Sequence, residues 1–182
     1  MSRSPSVEKA SKDLAARVRD VADFPKPGVV FKDITPILSH APSFKVMIDT
    51  LLHMSADYEF DRIVGIESRG FLLGSAMAYA SHTSLSLVRK KGKLPGKTIS
   101  QTYQLEYGED VLETHEDAVD KGEKVLIVDD ILATGGTAEA TAKLYEKCGA
   151  TVSGMLFFME LEFLKGSNKI QSYPHQSLIK IS

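Results

Sequence analysis

Two successive carboxylates, Asp129 and Asp130, stand just ahead of the small, glycine-paired run Ala133-Thr134-Gly135-Gly136-Thr137. Gly135 and Gly136 let the backbone turn its amides inward with no Cβ in the way, and a helix starting behind them adds partial positive charge. A loop of that kind cradles an anion. No lysine follows the glycines, so this is not the loop that holds the outer phosphates of a nucleoside triphosphate, and there is no Gly-x-Gly-x-x-Gly run. A lone phosphate would be repelled by the two acids, so they face another part of the ligand. Carboxylates accept hydrogen bonds, and a ribose cis-diol offers two. A sugar phosphate with its hydroxyls on Asp129 and Asp130 and its phosphate on Ala133, Thr134, Gly135, Gly136 and Thr137 satisfies this order. For a bare pair of aspartates, an acidic turn with Thr137 as helix N-cap is the plainer alternative; the full string argues against it.

The elements that must position these residues are legible on either side. Val125-Leu126-Ile127-Val128 reads as a strand buried on both faces, as in a parallel sheet, and residues 138–148 carry Thr141, Leu144, Tyr145 and Cys148 at helical spacing. A second unit of the same kind runs from a strand at 63–66 through Glu67-Ser68-Arg69-Gly70 into a helix at 71–81 that is apolar nearly all round and is therefore expected to be buried. Its N-terminus, with Arg69 beside it, makes a second anion site. A third strand, at 84–88, leads into Arg89-Lys90-Lys91-Gly92-Lys93-Leu94-Pro95-Gly96-Lys97, the densest positive run in the chain. A solvated loop is its default reading; beside a departing anion it would neutralise developing charge. Alternation at Tyr103, Leu105 and Tyr107 followed by Gly108 predicts a hairpin over 98–114.

Upstream, residues 6–21 read as an amphipathic helix. The prolines and glycine of Asp23-Phe24-Pro25-Lys26-Pro27-Gly28-Val29-Val30-Phe31-Lys32-Asp33 exclude a long helix or a central strand and predict an ordered, irregular loop. Ser43 is placed as N-cap of a helix over 44–58. Further strands are predicted at 152–159 and 177–181, joined through 160–165. The fold class is α/β: a parallel sheet of about five strands flanked by helices.

A chain of 182 residues with 43% hydrophobic content suits one domain, 1–182. Its 22 basic and 24 acidic residues, net charge −2, supply no electrostatic footprint for nucleic acid or an anionic membrane. The single Cys148, ahead of Gly149 at a helix end, reads as core packing. The amino terminus lacks a signal-like apolar core, no run reaches membrane-spanning length, and cytoplasmic residence is expected. The histidines at 40, 53, 82, 115 and 175 show no metal-ligand spacing, and no residue is assigned to a metal.

The string Val125 to Thr137 resembles the phosphoribosyl diphosphate signature of the type I phosphoribosyltransferases, and the other motifs follow in that family's order from about residue 20 onward. The resemblance implies a small N-terminal hood at about 20–40, a flexible hairpin loop at about 95–114, Asp129 and Asp130 on the ribose, and 133–137 on the 5′-phosphate. It places Glu67, Ser68, Arg69 and Gly70, with Arg89, Lys90 and Lys93, around pyrophosphate, with either Lys90 or Lys91 reaching across a subunit interface. The hood resembles that of adenine-using members, with Val30, Phe31 and Lys32 at the base; those members commonly carry arginine at the Lys32 position. Leu105-Glu106-Tyr107-Gly108 matches them as well, making Glu106, Tyr107 and Arg69 the catalytic candidates. Implied further are transfer of ribose 5-phosphate from phosphoribosyl diphosphate to adenine, giving AMP and pyrophosphate, Mg²⁺ held mainly through the substrate, and a homodimer. Two alternatives stay open: transfer to another base, and a non-catalytic regulator that senses phosphoribosyl diphosphate.

Overall fold

The computed structural model describes residues 5–104 and 108–182. The chain divides into two compact units, Met1–His53 and Met54–Ser182.

The first unit holds α1 (Pro5–Ala15), β1 (Arg19–Ala22), β2 (Val30–Asp33), the short α2 (Thr35–Leu38) and most of α3 (Ala41–Ser55). The first helix stops well short of residue 21. Arg19 to Ala22 instead pair antiparallel with Val30 to Asp33, and two cross-strand ion pairs lock that register: Arg19 on Asp33 at 2.5 Å and Lys32 on Asp20 at 2.7 Å. The proline-rich stretch between them turns at Asp23 and Gly28, whose φ angles are +57° and +84°, and the Gly28 amide donates to Asp23 Oδ1 at 2.8 Å. Part of the expected irregular loop is thus a two-stranded ribbon, which tolerates the prolines because they lie outside its paired residues. Ser43 lies inside α3 and does not cap it. The ring of His40 takes that role, accepting from the Ser43 amide at 3.3 Å.

The second unit is built on a seven-stranded sheet. In chain order it comprises β3 (Arg62–Ile66), α4 (Gly70–Ser81), β4 (Ser84–Lys90), β5 (Thr98–Gln104), β6 (Glu109–His115), β7 (Lys124–Leu132), α5 (Gly136–Lys147), β8 (Thr151–Leu161), two 3-10 turns (Glu162–Leu164 and Gly166–Asn168) and β9 (His175–Ile181). The spatial order is β5-β6-β4-β3-β7-β8-β9. Strands β4, β3, β7, β8 and β9 are parallel, matching the expected five, and the hairpin β5-β6 extends the sheet antiparallel through β4. The hairpin expected over 98–114 is present, and its short register with β4, Arg89 on Glu113 and Lys90 on Leu112, joins it to the sheet edge.

Val125 to Val128 on β7 are fully buried, as are Met155 to Met159 on β8, which is why both sequences are continuous apolar runs. Tyr145 on α5 is sunk in the same core, its hydroxyl 3.2 Å from that of Thr114, and burial pushes its pKa up to about 12. Cys148 follows α5 half-buried, with burial raising its thiol; a thiol so disfavoured as thiolate suits packing. α4 departs from expectation. Gly70, Leu73, Gly74, Met77 and Ala78 are buried, but Leu72 and Tyr79, on the other side of the helix, are 47% and 87% exposed. Gly65 lets this helix lie close on its strand, since a Cβ there would sit 3.2 Å from the Gly70 carbonyl oxygen, and no described layer of the second unit covers the outer face.

Strand order places the site. β3 has β4 on one side and β7 on the other, so the connections leaving β3 and β7 diverge at their carboxyl ends. Such a switch point opens the crevice in which open α/β sheets bind ligands.

Candidate active site

Both predicted cradles open at this switch point. A cavity of about 260 Å³ is lined by Glu67, Ser68 and Arg69 from the end of β3 and by the continuous run Asp129 to Ala138 from the end of β7. Helices α4 and α5 start at its wall without a side-chain cap; their N-cap residues are Arg69 and Gly135. The first-turn amides therefore depend on whatever enters the cavity, and the helix ends make its wall electropositive. Thr137 is not the N-cap of the plainer reading. It lies inside α5, with its hydroxyl 3.4 Å from the Tyr103 oxygen.

The two acids are still on β7, which runs through to Leu132. Asp130 is 4% exposed and Asp129 somewhat more open. The Asp130 amide donates to Asp129 Oδ1 at 2.9 Å. Burial, and then the adjacent Asp130 charge, push the Asp129 carboxyl well above the ordinary range. Burial raises Asp130 as well, against the opposing Arg69 guanidinium, which approaches Asp130 Oδ2 to 2.9 Å. Both carboxyls line the cavity, where carboxylate oxygens can accept from a pair of hydroxyl donors. Arg69, grouped in the sequence with the residues expected at pyrophosphate, is paired here with Asp130, one of the two acids expected at the ribose.

Backbone packing shapes both loops. A Cβ on Gly70 would lie 2.8 Å from both Asp129 Oδ1 and the Val128 carbonyl oxygen, so only glycine lets the β3 loop close on β7. Gly135 has φ +80° and faces the carbonyl of Gly166, while a Cβ on Gly166 would lie 2.9 Å from the Gly135 nitrogen. Gly166, in the second 3-10 turn, thus buttresses the loop at 133–135. It was passed over in the sequence because it lies just beyond a stretch read only as a connection; its one outward signal is a lone glycine between charged and polar residues.

The basic run is organised by side chains. Glu67 accepts from Lys93 Nζ at 2.5 Å and from the Lys90 amide at 3.0 Å, with Arg89 at 3.4 Å. Burial would raise the Glu67 carboxyl, but these partners, Lys93 foremost, outweigh it and hold it below the ordinary range. The buried Glu113 accepts from the Gly92 amide at 2.9 Å, and Arg89 donates to the Lys93 carbonyl at 2.9 Å. Lys90 reaches Asp110 on β6 at 2.9 Å. Glu67 therefore acts as anchor of the basic loop, a role its grouping with the anion-binding turn did not suggest. Ser68 is exposed beside the cis Glu67–Ser68 peptide.

In the first unit, Val30 is 50% exposed. The ring of Phe31 meets Phe24 edge-on with centroids 5.1 Å apart, and the Lys32 ammonium rests on Asp20. Glu106 and Tyr107 lie outside the described residues, as does Leu105.

A parallel sheet with two amide-rimmed loops at its switch point and an Asp-Asp pair between them is the arrangement of a phosphoribosyl-handling transferase, and the chain belongs to the phosphoribosyl transferase domain family, whose model matches residues 37–164. Among curated relatives, the adenine phosphoribosyltransferase of Syntrophotalea carbinolica is 52% identical over 168 residues, covering 92% of this chain and 98% of its own. Among solved structures, adenine phosphoribosyltransferase from Thermoanaerobacter pseudethanolicus superposes with a TM-score of 0.92 at 47% identity, covering 93% of this chain and 99% of that one. The enzyme from Saccharomyces cerevisiae, complexed with D-2,5-dideoxy-2,5-imino-altritol 1,6-bisphosphate and adenine, does so at 0.88 and 39%, covering 94% and 99%.

Proposed function

We propose that this chain transfers the 5-phosphoribosyl group of phosphoribosyl diphosphate to adenine, giving AMP and pyrophosphate. The observation that carries the reading is the cavity itself: two adjacent acids flanked by two uncapped helix N-termini, a match for a diol with a phosphate group on either side. The names of relatives about half identical over nearly their full length support adenine as acceptor.

In this reading Asp129 and Asp130 accept the ribose hydroxyls and 133–137 hold the 5′-phosphate. Residues 67–70 with Arg89, Lys90 and Lys93 compensate the pyrophosphate. Val30, Phe31 and Lys32, in a hood at about 20–40, supply the base contacts, Lys32 through its stem because its ammonium is engaged by Asp20. Glu106 and Tyr107, in the loop at 95–114, complete the set on resemblance alone. The bond from C1 to the pyrophosphate oxygen breaks as a base nitrogen bonds to C1. The chain's part is to hold the reactants in line, keep water out and oppose the charge that develops.

Mg²⁺ belongs to the same reading. Among the described residues no group of three or more His, Cys, Asp or Glu side chains could hold a metal, and a two-carboxylate site fits a cation that arrives on the sugar diphosphate with its waters. The chemistry it would supply there is charge neutralisation of the leaving group. A homodimer is supported by the outer face of α4, where Leu72 and Tyr79 are open. Cytoplasmic residence accords with the fact that no helix among the described residues is long and apolar enough to cross a membrane.

The test is pyrophosphate release from phosphoribosyl diphosphate against a panel of bases. Adenine is expected to be turned over best. Preference for an oxopurine overturns the acceptor, and turnover with no base points to a sensing protein.

A further inference from the structure

The cations assigned to pyrophosphate are each held by a carboxylate of the chain itself: Arg69 by Asp130, Arg89 and Lys93 by Glu67, and Lys90 by Asp110. Asp110 has no part in the reading above. It stands on β6 with Oδ2 2.9 Å from Lys90 Nζ and 3.3 Å from the Tyr103 hydroxyl, and Oδ1 takes the Val111 amide at 2.9 Å. Tyr103 in turn accepts from Thr137 at 3.4 Å. One carboxylate therefore connects a lysine of the basic loop, through a single tyrosine, with the phosphate loop. Its own position is fixed by the strand amide and the tyrosine. The Lys90 side chain is 55% exposed and that of Asp110 only 21%, so the ammonium is the partner free to move.

We propose that Asp110 is the exchange partner of Lys90: it holds the ammonium between turnovers, yields it to pyrophosphate, and takes it back as pyrophosphate leaves. The inference rests on the reading of Lys90 as a pyrophosphate cation. The chemistry of the pair suits exchange. A lysine is a compact point charge on a flexible stem and can swing between two anions, whereas Arg89 is fastened at both the Lys93 carbonyl and Glu67. A carboxylate this near cannot attract a diphosphate; its effect is to lower the free energy of the state in which Lys90 is released. Mutual electrostatic support holds Asp110 below the ordinary carboxylate range and Lys90 above its own, each chiefly through its hydrogen bond with the other. For a pair this exposed, the competition weakens pyrophosphate binding by roughly threefold to fivefold.

The experiment is calorimetric titration of inorganic pyrophosphate with Mg²⁺ into the full chain, wild type, Asp110→Asn, Lys90→Met and the double variant. Asp110→Asn keeps the shape of the side chain and one acceptor oxygen for the Val111 amide, with the Tyr103 contact reversed so that the new amide donates to the hydroxyl, and is expected to lower the pyrophosphate Kd by about threefold to fivefold. The KM for phosphoribosyl diphosphate should fall with it while kcat does not rise. In the Lys90→Met background the same change should do nothing. An unchanged or higher Kd overturns the proposal, and so does tightening that persists without Lys90, which would be a general field effect. Binding requires no turnover, so a wild type that fails with every base but shows this pattern removes the proposed reaction and leaves the exchange standing. A wild type that binds no pyrophosphate removes the exchange.

Discussion

The two anion-facing regions are made of different material. The loop after β7 is a backbone device: Gly135 at φ +80° packs against Gly166, the first turn of α5 is uncapped, and no lysine or arginine belongs to it. The region after β3 and β4 adds to the uncapped start of α4 a side-chain device, in which Arg89, Lys90 and Lys93 are positioned by Glu67, Asp110 and Glu113. Backbone amides fixed by glycine packing cannot be withdrawn, so they suit a group that stays bound throughout a reaction, as the 5′-phosphate would in the proposed transfer. Ion pairs with half-exposed partners exchange readily, so they suit a group that must leave.

The largest effect should come from the backbone device. Gly135→Ala strains a left-handed residue by about 1–2 kcal/mol and drives a methyl into the Gly166 carbonyl. The loop must shift, and phosphoribosyl diphosphate affinity, measured by calorimetry, is expected to fall on the order of a hundredfold. Affinity within twofold of wild type would show that the amides of this loop do not hold the phosphate.

Asp129→Asn probes the floor between the two regions. The amide keeps one acceptor but loses an ionic hydrogen bond, so affinity for the sugar diphosphate should fall by roughly 1.5 kcal/mol, about tenfold. Stability should move the other way. The folded Asp129 pKa is raised, so between the unfolded and folded values the native state binds more protons and stability falls as pH rises. The variant escapes this penalty. It should gain on the order of 1 kcal/mol at neutral pH, about 2–4 °C in Tm, and the gain should vanish below about pH 4, where both states of the wild type are protonated. Thermal melts across pH check the sign, and a gain that grows toward acid would reverse it.

In the side-chain device, Glu67→Gln should loosen Lys93 and Arg89 without moving the β7 loop. For partly exposed pairs the cost is about 0.2–1 kcal/mol, seen as a pyrophosphate Kd changed by no more than about fivefold with Kd for AMP unchanged. A collapse of both affinities would place Glu67 in the shared floor of the cavity.

The smallest effect is expected outside both regions, at Lys32→Arg. The ammonium is held by Asp20, and arginine can keep that pair, so the KM for adenine should change by less than about twofold. A tenfold decrease would mean the guanidinium abandons Asp20 for the base.

What was legible in the sequence was whatever rests on local pattern. The apolar run Val125 to Val128 read as a strand covered on both faces, the small residues 133–137 read as a loop that in the structure ends at Gly135, with Gly136 and Thr137 already in α5, and Asp129 and Asp130 are adjacent in the chain. Where local pattern competes with pairing, the sequence misled. Helix periodicity continued past Ala15, but Arg19 to Ala22 found Val30 to Asp33 and became a strand. The helix at Gly70–Ser81 is apolar all round in sequence, yet Leu72 and Tyr79 are open, because composition does not say how many layers will cover a helix. Contacts between segments distant in the chain were decided by tertiary structure alone. Nothing local to Gly166 announces the loop at 133–135 that it supports, nothing local to Glu67 announces Lys93, and Asp110 meets Lys90 because the β5-β6 hairpin joins the sheet beside β4. Side-chain chemistry is written residue by residue, but which charge neutralises which depends on strand order, and strand order is set by packing over the whole sheet.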